Sequence, residues 1–215
     1  MASRAPRSSS AGRREIGARL SLARHGAAAR RCYNRLMGGT IWTIGHSTHT
    51  LDAFTALLRH HGIEGVVDVR AFPGSRRHPH FARERLAESL PAQGLRYDWL
   101  GQELGGRRRP TDRPSPNTAL RNESFRNYAD FMATPLFSRG VDELLRLASQ
   151  RRTAFFCAEL LWWRCHRSLI ADYLTAVRGW TVLHILDLAE PKAHKPKSEA
   201  RVEGSALVYA EPDLF

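Results

Sequence analysis

The sequence predicts an α/β fold, a single layered domain with a mostly parallel sheet flanked by helices. Three observations carry this. Short apolar runs of strand character alternate with segments of helical period, the pattern of strand–helix–strand units in a parallel sheet. The chain has 215 residues, enough to bury a core of its own without disulfides or metal. Apolar residues make up 42% and charged residues 25%, which excludes wholesale disorder.

Thr40–Ile44 is a short alternating strand that ends at Gly45-His46-Ser47. The polar cluster Ser47–Thr50 then supplies an N-cap for a helix over 51–61, with Leu51, Phe54, Leu57 and Leu58 on one face and Gly62 as its stop. Val66–Val69 is a second apolar strand, running into a loop at Arg70–Arg77. A helix over 82–90 and a short strand at Leu95–Trp99 follow. Gly105–Asn122 is polar, with three prolines and five arginines, and reads as a long loop of the kind that carries function or mobility. Helices are expected over 124–133 and 136–149, a third main strand at Thr153–Cys157, a helix over 166–177 and a last strand at Trp180–Ile185. The tail from 187 to 215 reads as mostly irregular.

The net charge is +12, from 33 basic and 21 acidic residues, which taken alone points to a polyanionic partner. Its distribution weakens that reading. Residues 1–36 hold nine arginines against one acid, so +8 lies there and only +4 lies in 37–215. The front segment reads as a disordered basic arm, a transit-type presequence, or translation upstream of a true start at Met37. The last is preferred, because the folded pattern begins at once after Met37-Gly38-Gly39. The expected organisation is therefore an extension over 1–36 and one α/β domain over 37–215. Arginine outnumbers lysine 30 to three, a skew closer to a coding bias than to a binding face. No run of 18 apolar residues is present, so no membrane partner is expected. Three cysteines make no disulfide framework, which favours the cytoplasm.

In parallel α/β sheets, ligands bind beyond the carboxyl ends of the strands. Those ends deliver Gly45, His46 and Ser47 from the first strand, then Asp68 and Arg70 from the second with Ser75 and Arg76 beyond. The third delivers Cys157 and Glu159, followed by Cys165, His166 and Arg167 at the next helix start. A cysteine at a helix N-terminus, beside His166 and Arg167, is placed to be held as a thiolate nucleophile. His166 titrates near neutrality and suits proton transfer. Arg167 suits bidentate contact with phosphate or carboxylate, and equally a structural pair with Glu159 or Asp68. His46 and Ser47 precede a helix N-terminus that can cradle an anion; a role for Ser47 as no more than the helix cap is an equal alternative. Asp68 and Arg70, two apart on a strand, either both face the site or neutralise each other. Ser75 and Arg76 sit in a glycine-containing loop suited to phosphate. Cys157 has core filling as its simpler role, and Cys165 has the same alternative.

The motifs Thr43-Ile44-Gly45-His46-Ser47, Asp68-Val69-Arg70 with Pro73 and Ser75, Leu104-Gly105-Gly106, Cys157-Ala158-Glu159 and Cys165-His166-Arg167 resemble those of the domain of unknown function 488 family, in order and spacing, from Ile41 to His184. The resemblance implies a small bacterial or archaeal cytoplasmic α/β protein and no particular activity. One departure is Leu160-Leu161-Trp162-Trp163-Arg164, more apolar than the family's stretch between Glu159 and Cys165.

No P-loop and no dinucleotide fingerprint occurs, so no cofactor is expected. A zinc set of Cys157, Cys165, His166 and His46 is set aside, because the C-x7-C spacing is unusual and Arg167 is a poor neighbour for a cation. The terminal Asp213-Leu214-Phe215 is similar to peptides that dock on the replication sliding clamp, but lacks the leading Gln; Leu214 and Phe215 more simply pin the tail. The leading expectation is an enzyme acting on an anionic, phosphorylated or nucleotide-like small molecule. Cys165 would be nucleophile, His166 proton carrier, Glu159 a second acid/base, and Arg70 and Arg167 the anion clamps. The alternative is a non-catalytic module for nucleotides or nucleic acid that uses the same arginines and the 105–122 loop. A third reading makes the polar strand ends an internal structural network.

Overall fold

Five of the six residues of β1 (Thr40–Gly45) are buried, as a central strand covered on both faces requires. A computed structural model describes residues 38–74 and 77–211, together with Met1. The expected 1–36 extension thus lies outside the described residues except for Met1. The remaining strands of the main sheet are β2 (Gly65–Asp68), β3 (Arg96–Trp99), β4 (Thr153–Cys157), β5 (Thr181–Ile185) and β6 (Lys192–Ala193), in the order β3-β2-β4-β1-β5-β6. All pairings are parallel except β5 with β6, so the expected mostly parallel α/β sheet is present.

The helices are α1 (Leu51–His60), α2 (Arg83–Ala92), the single turn α3 (Gly101–Leu104), α4 (Glu123–Met132), α5 (Pro135–Ala148) and α6 (Arg167–Ala176). Each expected helix forms within a residue or two of its reading, and its caps show why. Thr50, Asn122 and Thr134 accept from the backbone N–H three residues on, at the starts of α1, α4 and α5. Gly62 takes a positive φ of 66° just past α1. Among the described residues, no helix is long and apolar enough to cross a membrane.

Strand order fixes the layering. The chain moves one way along the sheet from β1 to β3 and the other way from β3 to β5. Crossovers of one hand therefore place α1 and α2 on one face and α4, α5 and α6 on the other. The cores agree. Trp42, Ile44 and Phe156 pack with Phe54, Leu58 and Leu86, while Ile41 and Phe155 pack with Tyr128, Phe137 and Leu169. Alternate residues of one strand thus serve opposite cores. The crossovers after β1 and β2 and the one after β4 leave on opposite faces, which opens a crevice at the carboxyl ends of these neighbouring strands.

The tail differs from its expected irregular form. Besides β6 it contains a hairpin of β7 (Ala200–Glu203) and β8 (Ala206–Tyr209). Tail residues clasp α6. Asp172 of α6, fully buried, accepts from Tyr209 Oη (2.9 Å), His194 Nε2 (2.8 Å) and the Lys197 backbone N–H (3.1 Å). A buried carboxylate needs such partners, and the tail supplies them.

Candidate functional site

A cleft of about 550 Å³ opens at the carboxyl ends of β2 and β4. One wall is the segment after β2, Arg70 to Phe72. Another is Cys157, Ala158 and Glu159 from the end of β4, with Arg164, Cys165 and His166 where the chain turns into α6. A third is Gly106 and Arg107 with Ser124 and Phe125.

Cys165 and His166 stand side by side on this wall. Both are buried, and the Cys165 Sγ lies 3.5 Å from His166 Nδ1. His166 Nε2 lies 3.1 Å from the Val69 carbonyl, which can only accept, so Nε2 carries the proton and Nδ1 turns a lone pair toward the sulfur. Gly106 makes room for the ring: a Cβ there would come 2.5 Å from His166 Nδ1. Cys157 joins them, and its Sγ, the Cys165 Sγ and a ring nitrogen of His166 all lie within 4.8 Å of one another. The Cys157 thiol donates to Cys165, which holds the Cys165 thiol well below its ordinary range; Arg167, and His166 once Nδ1 has taken a proton, act in the same direction against burial. The same contact, with burial, pushes Cys157 well up. The N-terminus of α6 adds its dipole to the stabilisation of a Cys165 anion.

Glu159 is exposed in the cleft, its Oε1 accepting the Leu161 backbone N–H at 3.2 Å. Its carbonyl passes so close to Gly45 that a Cβ there would stand 2.0 Å away. The glycine at the end of β1 is therefore a packing requirement of the Cys157–Glu159 loop.

The other expected site residues are turned inward. Arg70 pairs with Asp68, Nε to Oδ1 at 2.8 Å, and donates to the Phe81 carbonyl (2.8 Å) and to His46 Nε2 (3.1 Å). Tyr97 Oη donates to the second Asp68 oxygen at 3.0 Å. Of the two possibilities for Asp68 and Arg70, the pair neutralises itself, though Arg70 still borders the cleft. His46 stacks on Phe81 at 4.0 Å and donates from Nδ1 to the Ser47 carbonyl, so its Nε2 accepts from Arg70. Burial first, then Arg70, lowers its pKa to about 3. Ser47 donates its backbone N–H to the Ala158 carbonyl at a positive φ of 48°, and the cap of α1 is Thr50. Arg167, 1% exposed, donates to Thr43 Oγ1 (2.7 Å) and to the carbonyls of Glu159 and Leu160. It braces the loop and pairs with neither Glu159's carboxylate nor Asp68. Ser75 and Arg76 lie outside the described residues, as do Leu214 and Phe215.

Sequence reasoning missed two groups. Arg107 and Arg164, both exposed, border the cleft as accessible cations. Arg107 was legible only as one of five loop arginines, and Arg164 only as part of an apolar stretch. The second group is the buried chain Asp172–His194–His184, in which His194 Nδ1 lies 2.9 Å from His184 Nε2. Trp162 stacks on His184 at 4.0 Å. The available signal was a polar residue at core positions of a helix and a strand.

A protein-family model described as "Domain of unknown function DUF488" matches residues 50–174. The match runs from the start of α1 nearly to the end of α6 and includes Asp68, Arg70, Gly106, Cys157, Glu159 and Cys165–Arg167. No curated protein matches, and no solved structure matches.

Proposed function

The chain belongs to the family of the domain of unknown function DUF488, and on the geometry of its cleft we propose that it is an enzyme in which Cys165 attacks a small anionic substrate. The observation that carries this is the Cys165 Sγ 3.5 Å from the free lone pair of His166 on a cleft wall. His166 accepts the Cys165 proton at Nδ1 while Nε2 keeps its bond to Val69. The sulfur bonds to the electrophilic centre of the substrate, the bond to the leaving group breaks, and His166 returns its proton to that group. Water then opens the sulfur-bound intermediate, with Glu159 as the second acid/base.

Arg107 and Arg164 take the clamping role, since Arg70 is largely committed to Asp68 and Arg167 to carbonyls. Phe72, 73% exposed on the same cleft, offers an apolar face for a ring. Together they favour a phosphorylated or nucleotide-like substrate. Free thiols at Cys157 and Cys165 suit a reducing compartment, the cytoplasm. The alternative, a non-catalytic nucleotide- or nucleic-acid-binding module, draws on exposed Arg107, Arg109 and Arg113 in one loop and has no need of Cys165.

The test is a thermal-shift panel of inorganic phosphate, sugar phosphates and nucleoside mono- and triphosphates on the full chain. At least one class should raise the melting temperature, and Arg107→Ala with Arg164→Ala should weaken its binding roughly tenfold or more. Intact mass should detect a covalent adduct in the wild type and not in Cys165→Ser. Binding that survives both arginine replacements, or turnover by Cys165→Ser, overturns the proposal.

A further inference from the structure

Cys157 has no part in the chemistry proposed above beyond its contact with Cys165, yet it forms a third corner with Cys165 and His166. We propose that Cys157 Sγ, Cys165 Sγ and His166 Nδ1 bind one zinc ion, which removes the Cys165 sulfur from reaction. The regulatory half of this rests on the reading of Cys165 as nucleophile; the metal site does not.

The geometry fits zinc. Tetrahedral zinc with Zn–S near 2.3 Å and Zn–N near 2.05 Å sets a sulfur and a nitrogen ligand about 3.6 Å apart and two sulfurs about 3.8 Å apart. The Cys165 Sγ–His166 Nδ1 distance is 3.5 Å, and the two sulfurs are no more than 4.8 Å apart, so bringing the sulfurs to that spacing takes at most about 1 Å of side-chain movement. The imidazole is already oriented. Its Nε2–H is fixed by the Val69 carbonyl, the outer-sphere bond that a metal-ligating histidine requires, and its Nδ1 lone pair faces the sulfurs. The ligands stand on rigid elements, the end of β4 and the start of α6. Two thiolates and an imidazole are a donor set that selects zinc over harder cations. On binding, the Cys157 proton and the Cys165 proton both leave to solvent, so that two thiolates and a neutral imidazole face the ion. All three residues border the cleft, which leaves the fourth coordination position on that side.

The C-x7-C spacing and the neighbouring Arg167 argued against a metal in the sequence. The spacing is bridged by the 3-10 turn Trp162–Arg164, which returns Cys165 to Cys157. The Nη atoms of Arg167 bond Thr43, Glu159 and Leu160 and not the sulfurs.

The experiment uses the reduced, untagged full chain after dialysis against chelator. Zinc is titrated against a chromophoric competitor, and cobalt is substituted for spectroscopy. One equivalent should bind with a Kd below 1 µM (~8 kcal/mol), cobalt should show thiolate charge-transfer absorption, and Cys157→Ser and His166→Ala should each weaken binding at least tenfold. One equivalent of zinc should slow iodoacetamide alkylation of Cys165 at least tenfold in the wild type, and this ratio should fall toward one in Cys157→Ser. Absence of micromolar binding, cobalt without a thiolate band, or affinity unchanged by Cys157→Ser overturns the site. Zinc bound with no slowing of alkylation overturns the regulatory half. A Cys165 inert to iodoacetamide in metal-free protein refutes the nucleophile reading instead, and the zinc titration then still decides the site.

Discussion

His46 is held neutral by its surroundings, so acid acts on the folded and unfolded chains unequally. In the fold its pKa is about 3, through burial first and Arg70 second. In the unfolded chain it returns to about 6.5. Between these values the unfolded state binds a proton that the native state refuses, so stability is fully present above pH 6.5 and is lost as the pH falls toward 3. The slope approaches about 1.4 kcal/mol per pH unit, and integration from pH 7 to pH 5 gives a loss of about 2 kcal/mol. Structurally, a protonated His46 would set a second donor against Arg70 Nη1, 3.1 Å away, with its ring face closed by Phe81. His184, also lowered to about 3 by burial and then by His194, follows the same linkage and adds a similar amount. Urea unfolding at pH 7 and pH 5 measures this. His46→Gln and His184→Phe are less stable at pH 7, but each should lose about 2 kcal/mol less than the wild type on acidification. If either variant loses as much as the wild type, that histidine is not held neutral in the fold and the linkage does not operate.

Three further outcomes are expected. Alkylation of Cys165 in metal-free protein, followed by peptide mass spectrometry, should level off at a lower pH than that of an ordinary thiol, whose rate still rises about tenfold per unit below its pKa. Asp172→Asn places amide hydrogens against the donors of Tyr209 and His194, and should cost about 3 kcal/mol or more while releasing 192–209 to fast hydrogen exchange. Gly106→Ala drives a methyl to within 2.5 Å of His166 Nδ1, which should cost about 1–3 kcal/mol and change Cys165 alkylation while Cys157 contacts persist.

The sheet and helices were legible because their signals are local. Apolar runs marked β1, β2, β4 and β5, and Thr50, Asn122 and Thr134 marked helix starts. The rule that ligands bind beyond strand ends brought Cys157, Glu159, Cys165 and His166 to one cleft. Direction was harder to read. Residues 68 and 70 share a strand face in any sequence, but only the fold shows Arg70 folded back onto Asp68. Arg167 turns into the loop because Thr43 and two carbonyls wait there, contacts made across more than a hundred residues in the first case. The tail strands carry little periodicity of their own. They are ordered by Asp172, so their signal lay in another element.

The strand order also constrains how the protein is made. β4 stands between β2 and β1, and β1 touches only β4 and β5 within the sheet. A ribosome that has released residues up to 152 has released a β2–β3 pair and a β1 whose partner strands do not yet exist. This apolar strand therefore waits with both edges open through more than a hundred residues of synthesis, a window in which chaperone capture competes with aggregation. The cleft cannot exist before β4 is inserted and α6 is docked, so any ligand of the cleft is also a reporter of completed folding.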